Sequence, residues 1–325
     1  MKIYKQISIV IIALMLLLGL SKNTFGQDPE FTQFYSNPLY LNPAFAGSKV
    51  CPRVAMNFRN QWANLSGSFK TGSVSYDQMV QSMSGGLGLL VMTDNAANTL
   101  KTTRVSGMYA YNQAVSRKFS INLGLEATFF QKSIDWDKLT FGDMIDRRRG
   151  FVYQTNDIRR EGAVTGIDFS AGAIGYTENF FFGFAAHHIN EPQESLIKGD
   201  SKLPMKLTGH AGAIIPIGGG NKYHASDASV SPNILFRQQG TFTQLNMGVY
   251  IKKGPLTGGI WYRNDDAFIT SLGIETDMFK IGYSYDVTVS KLSLASGGSH
   301  ELSLGLNFKC RPKKKKFRTI SCPSF

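Results

Sequence analysis

Hydrophobic and polar residues alternate with a period of two along most of this chain. Near its C-terminal end, Leu302, Leu304, Leu306 and Phe308 interleave with Glu301, Ser303, Gly305 and Asn307. A strand built this way has one oily face and one polar face. The clearest case is Phe119, Ile121, Leu123, Leu125, Ala127 and Phe129 against Ser120, Asn122, Gly124, Glu126 and Thr128. A second is Phe279, Ile281, Tyr283, Tyr285 and Val287 against Lys280, Gly282, Ser284, Asp286 and Thr288. The pattern predicts fourteen strands, at 53–62, 69–79, 85–94, 101–113, 118–131, 166–176, 179–189, 204–216, 228–237, 242–252, 255–263, 267–276, 278–288 and 299–309. It is weakest in the sixth to eighth, where Phe180-Phe181-Phe182 breaks the period.

A soluble sandwich also alternates. Here glycines fall on the polar side and aromatics on the apolar side, over an even number of strands, which is the pattern of an all-β transmembrane antiparallel barrel. A lipid-facing Lys at the midplane costs about 2–4 kcal/mol. The alternation instead sends Glu126, Lys280 and Asp286 inward. Connection lengths give a second line of argument. With residue 51 on the periplasmic side, the long connections 132–165, 190–203 and 289–298 all fall outside the cell. Most of the others are tight, apart from 217–227. Short periplasmic turns and long outer loops are the asymmetry of such barrels. Trp62, Tyr111, Tyr176, Trp261 and Tyr262 lie near strand ends and suit interfacial girdles.

The first 26 residues read as a cleaved secretory signal. Lys2 and Lys5 precede an apolar run from Ile7 to Leu20, and Thr24 and Gly26 precede Gln27. The run is shorter than the roughly 20 residues of a spanning helix. The chain carries a net charge of +12, yet three Lys lie in the signal and seven basic residues in Lys309–Arg318, with no acid in either. The body is thus nearly neutral, and a basic face for nucleic acid is not evident.

Residues 27–50 are irregular. Asn37-Pro38 and Asn42-Pro43 break regular structure, and Phe31, Phe34, Tyr35, Tyr40 and Phe45 make the segment too aromatic for free solvation. It is expected to plug the lumen or lie at the periplasmic mouth. The division is therefore 1–26 signal, 27–50 irregular segment, 51–309 barrel and 310–325 basic periplasmic tail. Cys51 precedes the first strand and Cys310 follows the last, so a Cys51–Cys310 bridge is open to a closed barrel. Cys310–Cys322 is the competing pair, and sequence does not choose.

No catalytic constellation stands out. Ser299 and His300 are adjacent and point to opposite faces, as do His187 and His188. Gly218-Gly219-Gly220-Asn221-Lys222 lacks the ending of a phosphate loop. Gly85, Gly86 and Gly88 lie in a strand pattern and allow tight inward packing. No enzyme activity, cofactor or metal is expected. Candidate partner contacts are Phe31, Phe34 and Tyr35, the loop run Arg147, Arg148 and Arg149, and the tail residues Lys313, Lys314, Lys315 and Lys316.

Two stretches resemble the PorP/SprF family. One is Gln27-Asp28-Pro29 through Phe31, Gln33-Phe34, Asn37-Pro38, Leu41-Asn42-Pro43-Ala44 and Gly47. The other is Gly282-Tyr283-Ser284-Tyr285-Asp286, Leu292 and Ser296-Gly297-Gly298-Ser299-His300-Glu301-Leu302-Ser303-Leu304. The resemblance implies an outer-membrane barrel of the type IX secretion system of Bacteroidetes, tied to gliding motility. Its partners would be outer-membrane lipid, a translocon subunit or secreted surface adhesin, and a periplasmic ring lipoprotein or other ring component. The basic tail departs from members that end near the last strand. The alternative reading is a small-solute channel resembling the long-chain fatty acid transporters.

Overall fold

In the computed structural model, described over residues 27–49, 51–155, 163–196, 201–218, 228–289 and 297–310, the chain forms a closed antiparallel barrel. Its fourteen staves are β1 (Arg53–Gln61), β2 (Phe69–Val80), β3 (Gly85–Ala96), β4 (Leu100–Ala114), β5 (Ser120–Ile134), β6 (Val164–Tyr176) and β7 (Phe180–His187). They continue with β8 (Lys206–Ala213), β9 (Ala228–Gln239), β10 (Phe242–Lys253), β11 (Leu256–Arg263), β12 (Ala267–Glu275), β13 (Phe279–Thr288) and β14 (Ser299–Asn307). Each pairs with its neighbours in sequence, and β1 pairs with β14 from Arg53↔Asn307 to Gln61↔Ser299. That last ladder closes the cylinder and leaves no free edge. The β8–β9 ladder ends at Gly212↔Asn233, lapses at Pro232, which has no N–H to give, and at Ser231, and resumes with Ile215–Ile217 opposite Val230–Ala228.

The burial pattern is inverted relative to a soluble sandwich. Leu125 and Leu272 are 65% and 73% exposed on the outer surface. Glu126, Asp286, Glu301, Ser284 and Asn246 are buried inside. An apolar exterior around a polar interior is stable only when lipid covers the outside, so the barrel lies in the outer membrane. No described helix is long and apolar enough to cross a membrane. The signal region 1–26 lies outside the described residues.

Three details differ from expectation. Phe180 and Phe182 face out while Phe181 is buried, so the alternation survives a run that is apolar on both faces. Phe181 is inward because its ring packs edge-on against Tyr35, 5.4 Å away. Tyr176 and Trp261 do not join an interfacial girdle. Strand parity turns both inward, where the Asn112 amide donates to the Tyr176 hydroxyl and Trp261 packs on Phe34 and Tyr250. His187 and His188 do not split faces either. His188 adopts φ +57°, which ends the strand and turns its ring back into the lumen beside His187.

The long β5–β6 connection contains a two-residue pairing of Ile145–Asp146 with Gly150–Phe151. At its tip, the Asp146 carboxylate accepts the backbone N–H groups of Arg148 and Arg149, both at 2.8 Å.

Candidate functional site

The lumen is filled by the chain's own residues 27–49. The two Asn-Pro pairs shape this segment. Pro38 and Pro43 each open a helical turn, Pro38–Leu41 and Pro43–Phe45, at the position where a missing N–H costs nothing. Asn42 caps the second turn by accepting from Ala44 N at 2.9 Å. Its amide also donates to the wall carbonyls of Ala173 and Phe184, at 3.2 and 3.1 Å.

Apolar packing and glycine sockets hold the middle of the plug. Phe34, Leu39, Leu41, Ala44 and Phe45 form one buried cluster with Leu90, Met108, Ile174, Phe181 and Trp261 of the wall. Wall glycines admit the plug backbone. A Cβ on Gly86 would strike the Ala46 carbonyl and the Gly47 Cα, and one on Gly124 would strike Pro43 and Ala44. Gly172 makes the same room for Asn42.

The two ends of the plug are anchored differently. At the outer end, the Asp28 carboxylate meets Lys206 at 2.6 Å, His188 at 2.7 Å and Arg104 at 3.2 Å. Glu30 meets Arg237 at 3.2 Å and Arg263 at 3.6 Å, and accepts from Gln244. Both acids lie on the plug, outside the strands. Burial alone would raise the Asp28 carboxyl, but the charges of His188, Lys206 and Arg104 outweigh it and hold it well below the usual carboxylate range. Burial of Glu30 is likewise overcome by Arg237 and Arg263, which bring it down to about 2. Both are ionised at neutral pH. Further along, the Thr32 backbone and hydroxyl donate to Glu301, at 2.6 and 2.9 Å. At the periplasmic end, Gly47 N donates to Asp77 at 3.0 Å, and Cys51 is bonded to Cys310 with the Cα atoms 5.5 Å apart. Of the two pairings open to the sequence, this is the one formed; Cys322 lies outside the described residues.

Above the plug lies a cavity of about 760 Å³ facing the outer side, floored by Gln27–Glu30 and walled by Trp62, Phe69, Arg104, Lys132, Glu194 and Arg263. Its charges are largely matched: Lys132 and Arg104 both meet Glu194, and Arg263 meets Asp266.

The candidate contacts named from sequence do not gather in one place. Phe31 and Phe34 are 1% and 2% exposed, and Tyr35 packs on Phe181. Phe31 packs edge-on against Tyr40 and Phe34 against Trp261, while Tyr35 stays half-buried. Arg147, Arg148 and Arg149 stand exposed on the outer loop. Lys313 to Lys316 lie outside the described residues. The residues sequence reasoning missed are Asp28, Glu30 and Asn42 on the plug and Arg104, Lys206, Arg237 and Arg263 on the wall. The available signal was four cations on the polar parity of their strands, which sends them into the lumen without naming their partners.

Solved barrels resemble this one only distantly. CymD, a monoaromatic hydrocarbon channel, is 12% identical, with a TM-score of 0.47 over 84% of this chain and 93% of that one. A Pseudomonas aeruginosa FadL homologue is 12% identical, at 0.44 over 82% and 93%. Omp33 of Acinetobacter baumannii is 10% identical, at 0.44 over 81% and 100%. No curated protein matches the sequence. The model of the type IX secretion system membrane protein PorP/SprF matches residues 23–306, which takes in the plug and every strand as far as Leu306 in β14. The chain therefore belongs to the PorP/SprF family of type IX secretion system membrane proteins.

Proposed function

We propose that this protein is a sealed, non-catalytic scaffold of the type IX secretion machinery. It holds a secreted adhesin or a translocon subunit at its outer face and engages a periplasmic ring component from its inner end. The observation that supports this is the filled lumen. A plug pinned by Asp28 and Glu30 at one end, and joined at the other to a disulfide-stapled strand seam, leaves the rim and loops as the surfaces for work. The exposed Arg147–Arg149 tip and the outer cavity are the outward features such a partner would meet. In a gliding bacterium, loss of the protein would then remove an adhesin from the surface and impair movement.

The second reading is a small-solute channel. The outward cavity favours it; the closed floor of that cavity counts against it. Two measurements separate the readings. Deleting the gene should abolish surface display of a cognate secreted protein and leave small-solute uptake unchanged. Purified protein in liposomes should give no solute-dependent swelling. Normal display in the deletion strain would overturn the scaffold reading, and solute-selective swelling would favour the channel.

A further inference from the structure

We propose that the outer cavity seats an arginine side chain of the polypeptide held at the outer face. The inference rests on the scaffold reading, which brings a polypeptide to that mouth. It starts from the cavity's charges. The lining cations Arg104, Lys132 and Arg263 are each bonded to an acid: Asp28 at 3.2 Å, Glu194 at 2.8 Å and Asp266 at 3.1 Å. Two further lining acids, Asp94 and Asp265, meet no cation among the described residues. Asp94 accepts the Thr71 hydroxyl at 2.6 Å, and Asp265 accepts the Asn264 amide at 2.9 Å. A third acceptor is buried. Gln244 lines the same cavity and is 6% exposed. Its Nε2 donates to Glu30, which fixes the orientation of the amide, and its Oε1 has no partner among the described residues. The cavity thus holds surplus acceptors, and a ligand that satisfies them brings donors and positive charge.

An aromatic pair beside Asp94 says what kind of cation fits. Asp94 of β3 lies opposite Thr71 of β2, and Phe69 stands two places along β2 on the same face. Its ring meets Trp62 edge-on, with centroids 5.4 Å apart. A carboxylate next to aromatic rings suits a guanidinium, which stacks on the rings and forks its N–H groups onto oxygen. A metal ion fits less well: among the described residues no three His, Cys, Asp or Glu side chains converge as ligands. The cavity, about 760 Å³, lies within the size range of binding pockets and opens outward, where a held chain arrives.

The test uses the full chain in detergent micelles and a blocked pentapeptide with arginine at its second and fourth positions and glycine elsewhere. Calorimetric titration at low salt should show binding, and the glutamate counterpart should bind at least tenfold more weakly. Asp94→Asn should weaken the arginine peptide about tenfold. Trp62→Ala should weaken it severalfold, and Asp277→Asn, at a periplasmic turn, should match the parent. Asp265→Asn lies in an exposed turn and gives a second reading should the Asp94 variant fail to fold. Unchanged affinity in both Asp variants, equal binding of the two peptides, or binding of maltohexaose in place of the arginine peptide would overturn the proposal. In cells, the strain carrying Asp94→Asn and Asp265→Asn should lose surface display as the deletion strain does. Display lost on deletion but normal in the double variant would overturn the arginine site and leave the scaffold standing. Normal display in the deletion strain would sink the scaffold, while the titration still decides whether the cavity takes arginine.

Discussion

Lys206 of the barrel wall and Asp28 of the plug form an ion pair at 2.6 Å, across 178 positions of sequence. The pair is buried on both sides, and the same carboxylate meets His188 and Arg104. One plug acid thus gathers β4, β8 and the β7–β8 connection at the outer mouth. The lumen is closed by electrostatics at that end and by apolar packing below it.

Asp28→Ala should loosen the plug. It leaves Lys206 and Arg104 without their shared counter-charge, and removing one partner of a buried pair costs about 3–5 kcal/mol. Asp28→Asn keeps the shape and should fall between. The denaturation midpoint, and protease access to residues 27–49 in the folded barrel, measure this. A D28A barrel with an unchanged midpoint and a protected plug would show that the pair does not anchor it.

The same anchors set a pH response. Asp28 and Glu30 are both depressed in the folded state, so their contribution is complete above the unfolded carboxylate range and is lost as pH falls through the folded values. For Glu30 the window runs from its ordinary 4.5 down to about 2. Plug protection should therefore hold from neutral pH to about pH 5 and decline only in stronger acid. Release between pH 7 and pH 5 would contradict the assignment.

The wall of this protein was largely legible in its sequence, whereas the inside of the lumen was not. The fourteen predicted strands are present, their ends displaced by a few residues, because lipid imposes one strict parity on every stave. The inward places of Glu126, Lys280 and Asp286 followed from that parity alone. The alternation was hardest to follow where both faces of a strand are apolar, as at Phe180–Phe182. Trp261 shares the inward parity of Arg263 and Tyr176 that of Asp168, so parity outweighs the aromatic preference for the interface; their partners Phe34 and Asn122 depend on the fold. The ion pairs of Asp28 and Glu30 were out of reach for another reason. Parity says that Arg104, Lys206, Arg237 and Arg263 point inward, but which acid they meet depends on how the plug threads.

The glycine sockets allow a test that spares the electrostatics. Gly124→Val places a side chain against the backbone of Pro43 and Ala44. The strand itself tolerates Val, so the expected product is a folded barrel with a displaced plug and measurable ion leak in planar bilayers. Gly107→Ala is the control, since a Cβ there has nothing within 4 Å. A sealed G124V barrel would mean that the plug shifts to accommodate the side chain.

Removal of the disulfide should separate stability from sealing. Cys51 and Cys310 are 259 residues apart, and the β1–β14 ladder already holds their strands together in the native barrel. The bond therefore acts mainly on the unfolded chain, where closing so long a loop is worth about 5 kcal/mol on the chain-entropy account. Cys51→Ser should lower the denaturation midpoint under oxidising conditions and leave bilayer conductance as in the parent. Reductant should bring the parent down to the same midpoint and leave C51S unmoved. Cys322→Ser should match the parent in both conditions, because Cys310 keeps its partner. A midpoint drop in C322S comparable to that in C51S would mean that Cys322 competes for the bridge in solution.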